Sequence, residues 1–453
     1  MNDGRDPAEL LGMADRALAY AAAAGATEAE ALVSADDAQL TRFANSEIHQ
    51  NVAESNAQLN LRFVVGRRVG VASSNRLDDE GLRRLSEAAA AIARNSAELE
   101  DWGGLPGPGP TPIAELRGAF AVATAGATPE LRAEGVRAVI AAADAAGVVA
   151  YGSFSTSAEV IAVANSRGIR AAQRRTTAQI LTVAMGPDGG SGYAEAAAVD
   201  VTDLDAAALG REAAEKARAT VNPVSVEPGD WPVVLEEHAV VDIVQTLGYI
   251  GFGALAVQEE RSFSEPGKRI GSDLVTIVDD GADPRTLPMA FDYEGVAKQR
   301  VPLVERGVCR DVVYDAQTAA RAGRSSTGHG LPAPNPYGPY PLNLVMEPGT
   351  ASREELIRGL DRGLLVTRFH YTNPVHPKLA IVTGMTRDGT FLVENGEIVG
   401  PVRNLRFTQS YLDALAATSA VGRERRTHLG DLGGVAVPAV RIDSWAFTGN
   451  TEH

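Results

Sequence analysis

Residues 10–24 carry apolar side chains at helical spacing in an Ala-rich stretch that ends at Gly25, and from Glu30 the pattern turns to strand-like alternation. Residues 57–65 and 66–72 read as a hairpin, and residues 78–95 as a capped helix with Leu82, Leu85, Ala89 and Ile92 on one face. The order recurs. Phe43-Ala-Asn-Ser46 is echoed by Val163-Ala-Asn-Ser166 and Ala57-Gln58 by Ala178-Gln179, each leading into strands and then a helix, the second over 205–219. This predicts a duplicated strand-strand-helix unit. The Gly/Pro-rich segment 101–112 between the copies reads as a loop.

A second Pro-rich, polar stretch at 221–230 marks a change of texture. After it come the strand 231–235, an apolar helix over 236–256, and a long β-rich region punctuated by turn signals at 277–281, 305–307, 387–389 and 394–396. Asp-Gly and Asn-Gly suit type I′ hairpins because both central residues take positive φ. Residues 379–384, 390–394 and 398–406 then read as a three-stranded meander. The expectation is an α+β chain of two domains, an N-terminal α+β domain over 1–222 and a C-terminal, mainly antiparallel β domain with a long helix over 228–453.

Composition narrows the function classes. The chain has 453 residues, 45% hydrophobic, with a formal net charge of −16. Such a balance, without a long Lys/Arg run, argues against nucleic acid as a partner, and Arg423-Glu-Arg-Arg426 reads as a solvated turn. Nowhere do eighteen apolar residues run without a charge, so no membrane span is expected. The acidic start Met1–Asp6 gives no export signal, and a single cysteine fits a reducing compartment, so the cytoplasm is expected. Cys309, in an apolar stretch, reads as a buried thiol.

The histidines are His49, His238, His329, His370, His376, His428 and His453, and no two lie three or four apart. No local pair suited to a zinc ion is present, so no metal is expected in this chain. His238, beside Glu236 and Glu237 in a first helical turn, reads as surface charge balance. The loop Arg324-Ser-Ser-Thr-Gly-His-Gly330 offers a cation, hydroxyls and an imidazole, and His370-Tyr-Thr-Asn373 ends a strand with polar groups and an aromatic face. Arg324, His329, His370, Tyr371 and Asn373 are therefore candidates for clamping a peptide, set against the plainer reading that they bond neighbouring carbonyls.

Successive blocks in the second half resemble the TldD/PmbA family: Ile277-Val-Asp-Asp-Gly281, Phe291-Asp-Tyr-Glu-Gly295, Leu303-Val-Glu-Arg-Gly-Val308, Gly363-Leu-Leu-Val-Thr-Arg368 and Leu392-Val-Glu-Asn-Gly-Glu-Ile398. The resemblance implies a zinc peptidase fold whose catalytic members carry His-Glu-x-x-x-His on the helix after the strand 231–235 and a late cysteine near 429–434. Here Gln245, Thr246 and Ile250 stand at the helix motif, and no cysteine stands at 429–434. Gln is a weak ligand, Thr a poor base and Ile has no lone pair. The resemblance therefore implies a non-catalytic, substrate-shaping subunit, with zinc in a homologous partner, acting on unfolded peptides. Two other readings stay open: a metallohydrolase with ligands drawn from His329, His370 or His376, and a homodimer that binds peptides without cleaving them.

Overall fold

A computed structural model of the protein describes residues 6–430 and 432–451. Residues 1–5, to which most of the acidic start belongs, lie outside it, as do Asp431 of the 429–434 segment and His453.

The first half is one six-stranded antiparallel sheet made of two equivalent halves. Helix α1 (Pro7–Ala23) precedes β1 (Glu28–Ala44), β2 (Glu47–Val65), β3 (Arg68–Ser74) and α2 (Asp79–Asn95). After the short α3 (Val122–Ala125), helix α4 (Pro129–Ala145) leads into β4 (Val149–Asn165), β5 (Arg170–Met185), β6 (Ser191–Ala198) and α5 (Ala206–Ala219). The order is β3-β2-β1-β4-β5-β6, with β1 and β4 pairing at the centre. The duplication is thus larger than its sequence echo, a helix, three strands and a helix in each half. Of the echo residues, Asn45 follows the last residue of β1 and Asn165 is the last residue of β4, the two strands that pair at the centre. Asp78 and Asp205 cap α2 and α5 by accepting from the N–H groups of Gly81 and Ala208. No helix or strand falls within the Gly/Pro-rich segment 101–112.

The second half begins with β7 (Gly229–Leu235), α6 (Glu237–Gly251) and α7 (Ala254–Gln258). Strands β8 (Ile277–Asp279), β9 (Val301–Glu305) and β10 (Val308–Cys309) follow, then α8 (Ala316–Arg321), β11 (Asn343–Met346) and α9 (Arg353–Arg358). Next come β12 (Arg362–His376), β13 (Ile381–Glu394), β14 (Glu397–Pro401), β15 (Leu405–Ser410), α10 (Tyr411–Ala416), β16 (Thr418–Leu429) and β17 (Gly434–Asn450). Strands β17, β15, β13, β12 and β7 pair in that order, and β7 pairs back onto β17, which closes a ring. The apolar stripe of α6 (Ala239, Val240, Ile243, Val244, Leu247, Ile250) packs into the same core as Phe369, Phe407, Tyr411 and Trp445. The α+β reading, with a mainly β second half and a long helix, matches this architecture.

Three local expectations change. The expected long helix is two: α6 ends at Gly251 with Phe252 as its C-cap, and α7 begins after Gly253, while Gly251 packs so close to Phe263 that a β-carbon would meet its ring at 2.1 Å. Asp388 and Gly389 have the positive φ of a turn, yet β13 runs straight through them. Their register against β12 slips between Val366 and Arg368, so the pair makes a bulge that turns Asp388 inward onto Arg368. The expected first two meander strands are therefore one. Arg423–Arg426 is no turn: it lies within β16, and Arg426 grips Glu212 of α5 at 3.1 and 2.9 Å. Cys309 is buried, as its surroundings in sequence suggest.

Buried ion pairs join the two halves. Arg62 of β2 sits between Glu30 of β1 at 3.2 Å and Glu294, beyond β8, at 3.1 Å. Burial, only partly offset by the Arg62 charge, pushes the Glu30 carboxyl up to about 7. A carboxyl whose folded pKa is raised binds a proton more tightly in the folded state. Its contribution is complete below about 4.5 and is lost as pH climbs through about 7. Glu30→Gln should therefore flatten the decline of stability between pH 5 and 8, checked by urea midpoints across that range. An unchanged slope would remove Glu30 as its source.

Candidate functional site

Leu235 is the last residue of β7, held parallel to β12 and antiparallel to β17, so the chain enters α6 from the closed ring. With its apolar stripe in the core, α6 turns the opposite face (His238, Asp242, Gln245, Thr246 and Tyr249) to a cavity of about 600 Å3. These positions follow the i, i+4, i+7, i+8, i+11 pattern of a single helix face. Tyr193 and Glu195 of β6 line the same cavity, as do Tyr340, Arg368, Thr372, Pro374, His428 and Leu432. Both halves of the molecule therefore build its wall.

At one end of the cavity, Glu195, His238 and His428 each place a ligand-type atom within 4.8 Å of the other two. The His238 and His428 rings meet edge to face at 4.7 Å, and Tyr193 packs edge-on against His238 at 4.9 Å. Glu195 accepts from Gln179 Nε2 at 2.7 Å and from the Tyr193 hydroxyl at 2.6 Å, and His428 Nδ1 lies 3.8 Å from its second oxygen. Burial raises the Glu195 pKa, but the bonds and charge from His428 and its other donors leave it below the ordinary carboxylate value. Burial pushes His238 well below the ordinary imidazole value, helped by the charges of His428, Lys216 and Arg426. The imidazole is neutral at pH 7.

Beside this cluster runs a seam of charge. Lys216 of α5 donates to Glu212 at 2.8 Å and to Glu236 at 2.7 Å, and Arg353 pairs with the other oxygen of Glu236. Burial would raise the Glu236 carboxyl, but the Lys216 and Arg353 charges hold it down at about 2. The adjoining space of about 400 Å3 is walled by these ion pairs.

The residues singled out from sequence are scattered around this geometry. Gln245 and Thr246 face the cavity, but Ile250 is buried in the core, since five residues along a helix turn a side chain by about 140°. His238 is no surface residue: it is 8% exposed, because the fold packs Tyr193, Arg426 and His428 over it. His329 is fully buried, with Nε2 on Asp279 at 2.8 Å and Nδ1 on Thr327 at 2.9 Å. Both ring nitrogens are spent, which removes it as a peptide clamp. The guanidinium of Arg324 is forked on Asp311 and lies over Tyr314. His370, Tyr371 and Asn373 lie within β12, not at its end, because the strand runs on to His376. Here Thr372 and Pro374 line the cavity, while Tyr371 and Asn373 are exposed beside it. Glu195 and His428, which sequence reasoning missed, come from strands remote from α6, and no local spacing could have joined them.

Zinc chemistry of the expected kind needs two helical ligands and a base between them. Gln245 and Thr246 supply neither, and Asp242, the carboxylate on this face, already accepts from Thr372 and Tyr411 at 2.6 and 2.5 Å. The donor set of α6 does not fit a zinc ion held by that motif.

Comparison with known proteins places this architecture. Residues 228–449 match the family model described as the PmbA/TldA metallopeptidase C-terminal domain, residues 29–93 match its domain 1, and 124–221 its central domain. The last two each supply half of the six-stranded sheet. A structure of TldE from Thermococcus kodakarensis has the same fold, with a TM-score of 0.88 at 22% identity over 96% of this chain and 100% of that one. A metalloprotease of Methanothermobacter thermautotrophicus is 28% identical over 238 residues, 51% of this chain and 51% of its own length. A metalloprotease TldD homolog of Haemophilus influenzae is 26% identical over 260 residues, 53% of each. The match spans about half the length of these curated relatives. Among the described residues no helix is long and apolar enough to cross a membrane. From the three family matches, which together run along most of its length, the chain belongs to the PmbA/TldD family.

Proposed function

We propose that this chain is a non-hydrolytic, substrate-shaping subunit of a metallopeptidase that acts on unfolded peptides, with the hydrolytic zinc held by a homologous partner subunit. The observation that carries this is the cavity face of α6. It offers an amide, a hydroxyl, a phenol, one imidazole and an engaged carboxylate, but no pair of helical ligands with a base between them. What it does offer suits peptide main chain. Gln245, Thr246, Tyr249 and Tyr340 can donate to and accept from backbone groups whatever the peptide's side chains. Exposed Tyr249, Tyr371 and Leu432 add apolar surface at its edge. Such a lining binds extended chain with little sequence preference.

The partner is expected to be a family member bearing His-Glu-x-x-x-His, because the α6 of this chain lacks that motif. The test is cleavage of an unfolded peptide by this chain, by such a homologue, and by their equimolar mixture. The mixture should cleave at least tenfold faster than the homologue, and this chain alone should not cleave. Equal rates with and without this chain would overturn the subunit role.

A further inference from the structure

We infer that the cleft between the first half and the segment 331–338 is a further binding site, for a small uncharged molecule with an apolar body and one or two carbonyl-type acceptors. Its shape is the first reason. The cleft holds about 630 Å3, within the range of cavities that take small ligands, and it lies where two parts of the chain meet. Val69 and Val71 of β3 and Ile92 of α2 line it from the first half, and Leu255 of α7, Leu331 and Pro336 from the second. It shares no residue with the α6 cavity.

Unpartnered donors are the second, independent reason. Arg62 lines the cleft with its side chain 9% exposed, and its Nη1 and Nη2 pair with Glu294 and Glu30, yet its Nε has no hydrogen-bond partner. Nε1 of Trp102, in the same wall, is also buried and unpartnered. Buried N–H groups are nearly always satisfied, so two of them beside one cavity point to an acceptor that comes from outside the chain. The carboxylates around the cleft are engaged elsewhere. Glu294 accepts from Arg62 and the Ala316 N–H, Asp315 from Thr318 and Glu259 from Arg261, while Asp101 lies 3.6 Å from Arg321.

Charge decides against an anion. Asp101, Glu259, Glu294 and Asp315 line the cleft, with Arg62 and Arg321 opposed to them. Burial raises the Glu294 carboxyl above its ordinary value, but with that group neutral three carboxylates still stand against two guanidinium groups. A cation would leave both donors unmatched. A ketone or amide oxygen on an apolar frame meets every condition. The segment that carries Trp102 is also tied to α8, since the Gly103 N–H donates to Gln317 Oε1 at 3.4 Å and Gln317 Nε2 to the Gly104 carbonyl at 3.1 Å. A ligand resting on Trp102 therefore touches both halves and stabilises the folded chain.

The test uses the full chain and three two-ring probes of similar shape, the neutral naphthamide, the anionic naphthoate and the cationic naphthylmethylammonium, each titrated by calorimetry. The amide should bind at one site with a submillimolar Kd and raise the Tm. It should bind about tenfold tighter than either charged probe, since an unpaired charge is costlier to bury than an amide. Ile92→Trp, at a position 45% exposed where a larger ring fills the cleft, should abolish binding. Trp102→Phe keeps an aromatic ring but loses the N–H, and should weaken binding about fivefold. Gln245→Trp, which fills the α6 cavity instead, should leave it unchanged. Circular dichroism checks the fold of each variant. No binding of the amide below millimolar concentration, tighter binding of a charged probe, or binding lost in Gln245→Trp and kept in Ile92→Trp would overturn the site. None of these outcomes touches peptide cleavage, so the non-hydrolytic subunit reading stands or falls separately.

Discussion

Trp445→Ala is expected to cost about 3–5 kcal/mol of folding stability, the range for truncating a large buried aromatic side chain. Trp445 is fully buried, stacks on Phe369 at 4.8 Å and meets the Phe407 ring edge at 5.2 Å, with Tyr411 at 5.9 Å. These rings come from β12, β15 and α10, so the indole is a shared contact of three elements around β17. It also lies opposite Trp231 where β17 pairs with β7, the strand that leads into α6. Loss of the ring should therefore loosen the frame of the cavity as well as the core. Denaturant midpoints at neutral pH measure the loss, and a change below about 1 kcal/mol would mean that the cluster relaxes to fill the space.

Lys216→Met carries the second large effect. The Lys216 and Glu236 side chains are 10% and 4% exposed, and their 2.7 Å contact joins α5 of the first half to the residue that precedes α6. Removing one member of a buried pair leaves its partner uncompensated, which costs about 3–5 kcal/mol. Arg353 remains beside Glu236 and should place the loss at the low end of that range. The pH dependence gives an independent check. Glu236 is held down at about 2, so its contribution is present above about 4.5 and lost as pH falls through about 2. Without the lysine the folded-state carboxyl is held down less, so that loss should be smaller and complete at a higher pH. A double replacement, Lys216→Met with Glu236→Leu, should recover much of the stability, since a buried pair often yields to apolar groups without loss. A double variant no better than the single one would show that Glu236 matters mainly through Arg353.

What could be read from sequence followed the range of the interactions involved. Helices α1, α2 and α5 and the paired strands of the first sheet are fixed by local periodicity and by caps such as Asp78 and Asp205, and local patterns reveal them. The Asp388-Gly389 pair misled, because a positive-φ dipeptide makes a bulge as readily as a turn, and the choice depends on Arg368 across the sheet. In β12 the segment singled out lies along the cavity, and the register shift between His370 and Asn373 leaves Thr372 and Pro374 lining it with Tyr371 and Asn373 exposed. His238 looked like a surface residue because Glu236 and Glu237 precede it. Its burial is produced by His428 of β16, far along the chain, and by Tyr193, which only the joining of the two sheets brings near. The Glu195–His238–His428 cluster was invisible for the same reason.

The central claim is that this polypeptide does not itself break the peptide bond. Its most direct test is turnover of an unfolded peptide by an equimolar mixture of this chain and a His-Glu-x-x-x-His homologue whose motif glutamate is replaced by glutamine. Loss of all measurable cleavage, while the unaltered mixture remains active, is the predicted result. Cleavage persisting in the altered mixture, and abolished instead by His428→Ala in this chain, would contradict the account and place the chemistry at the cavity described above.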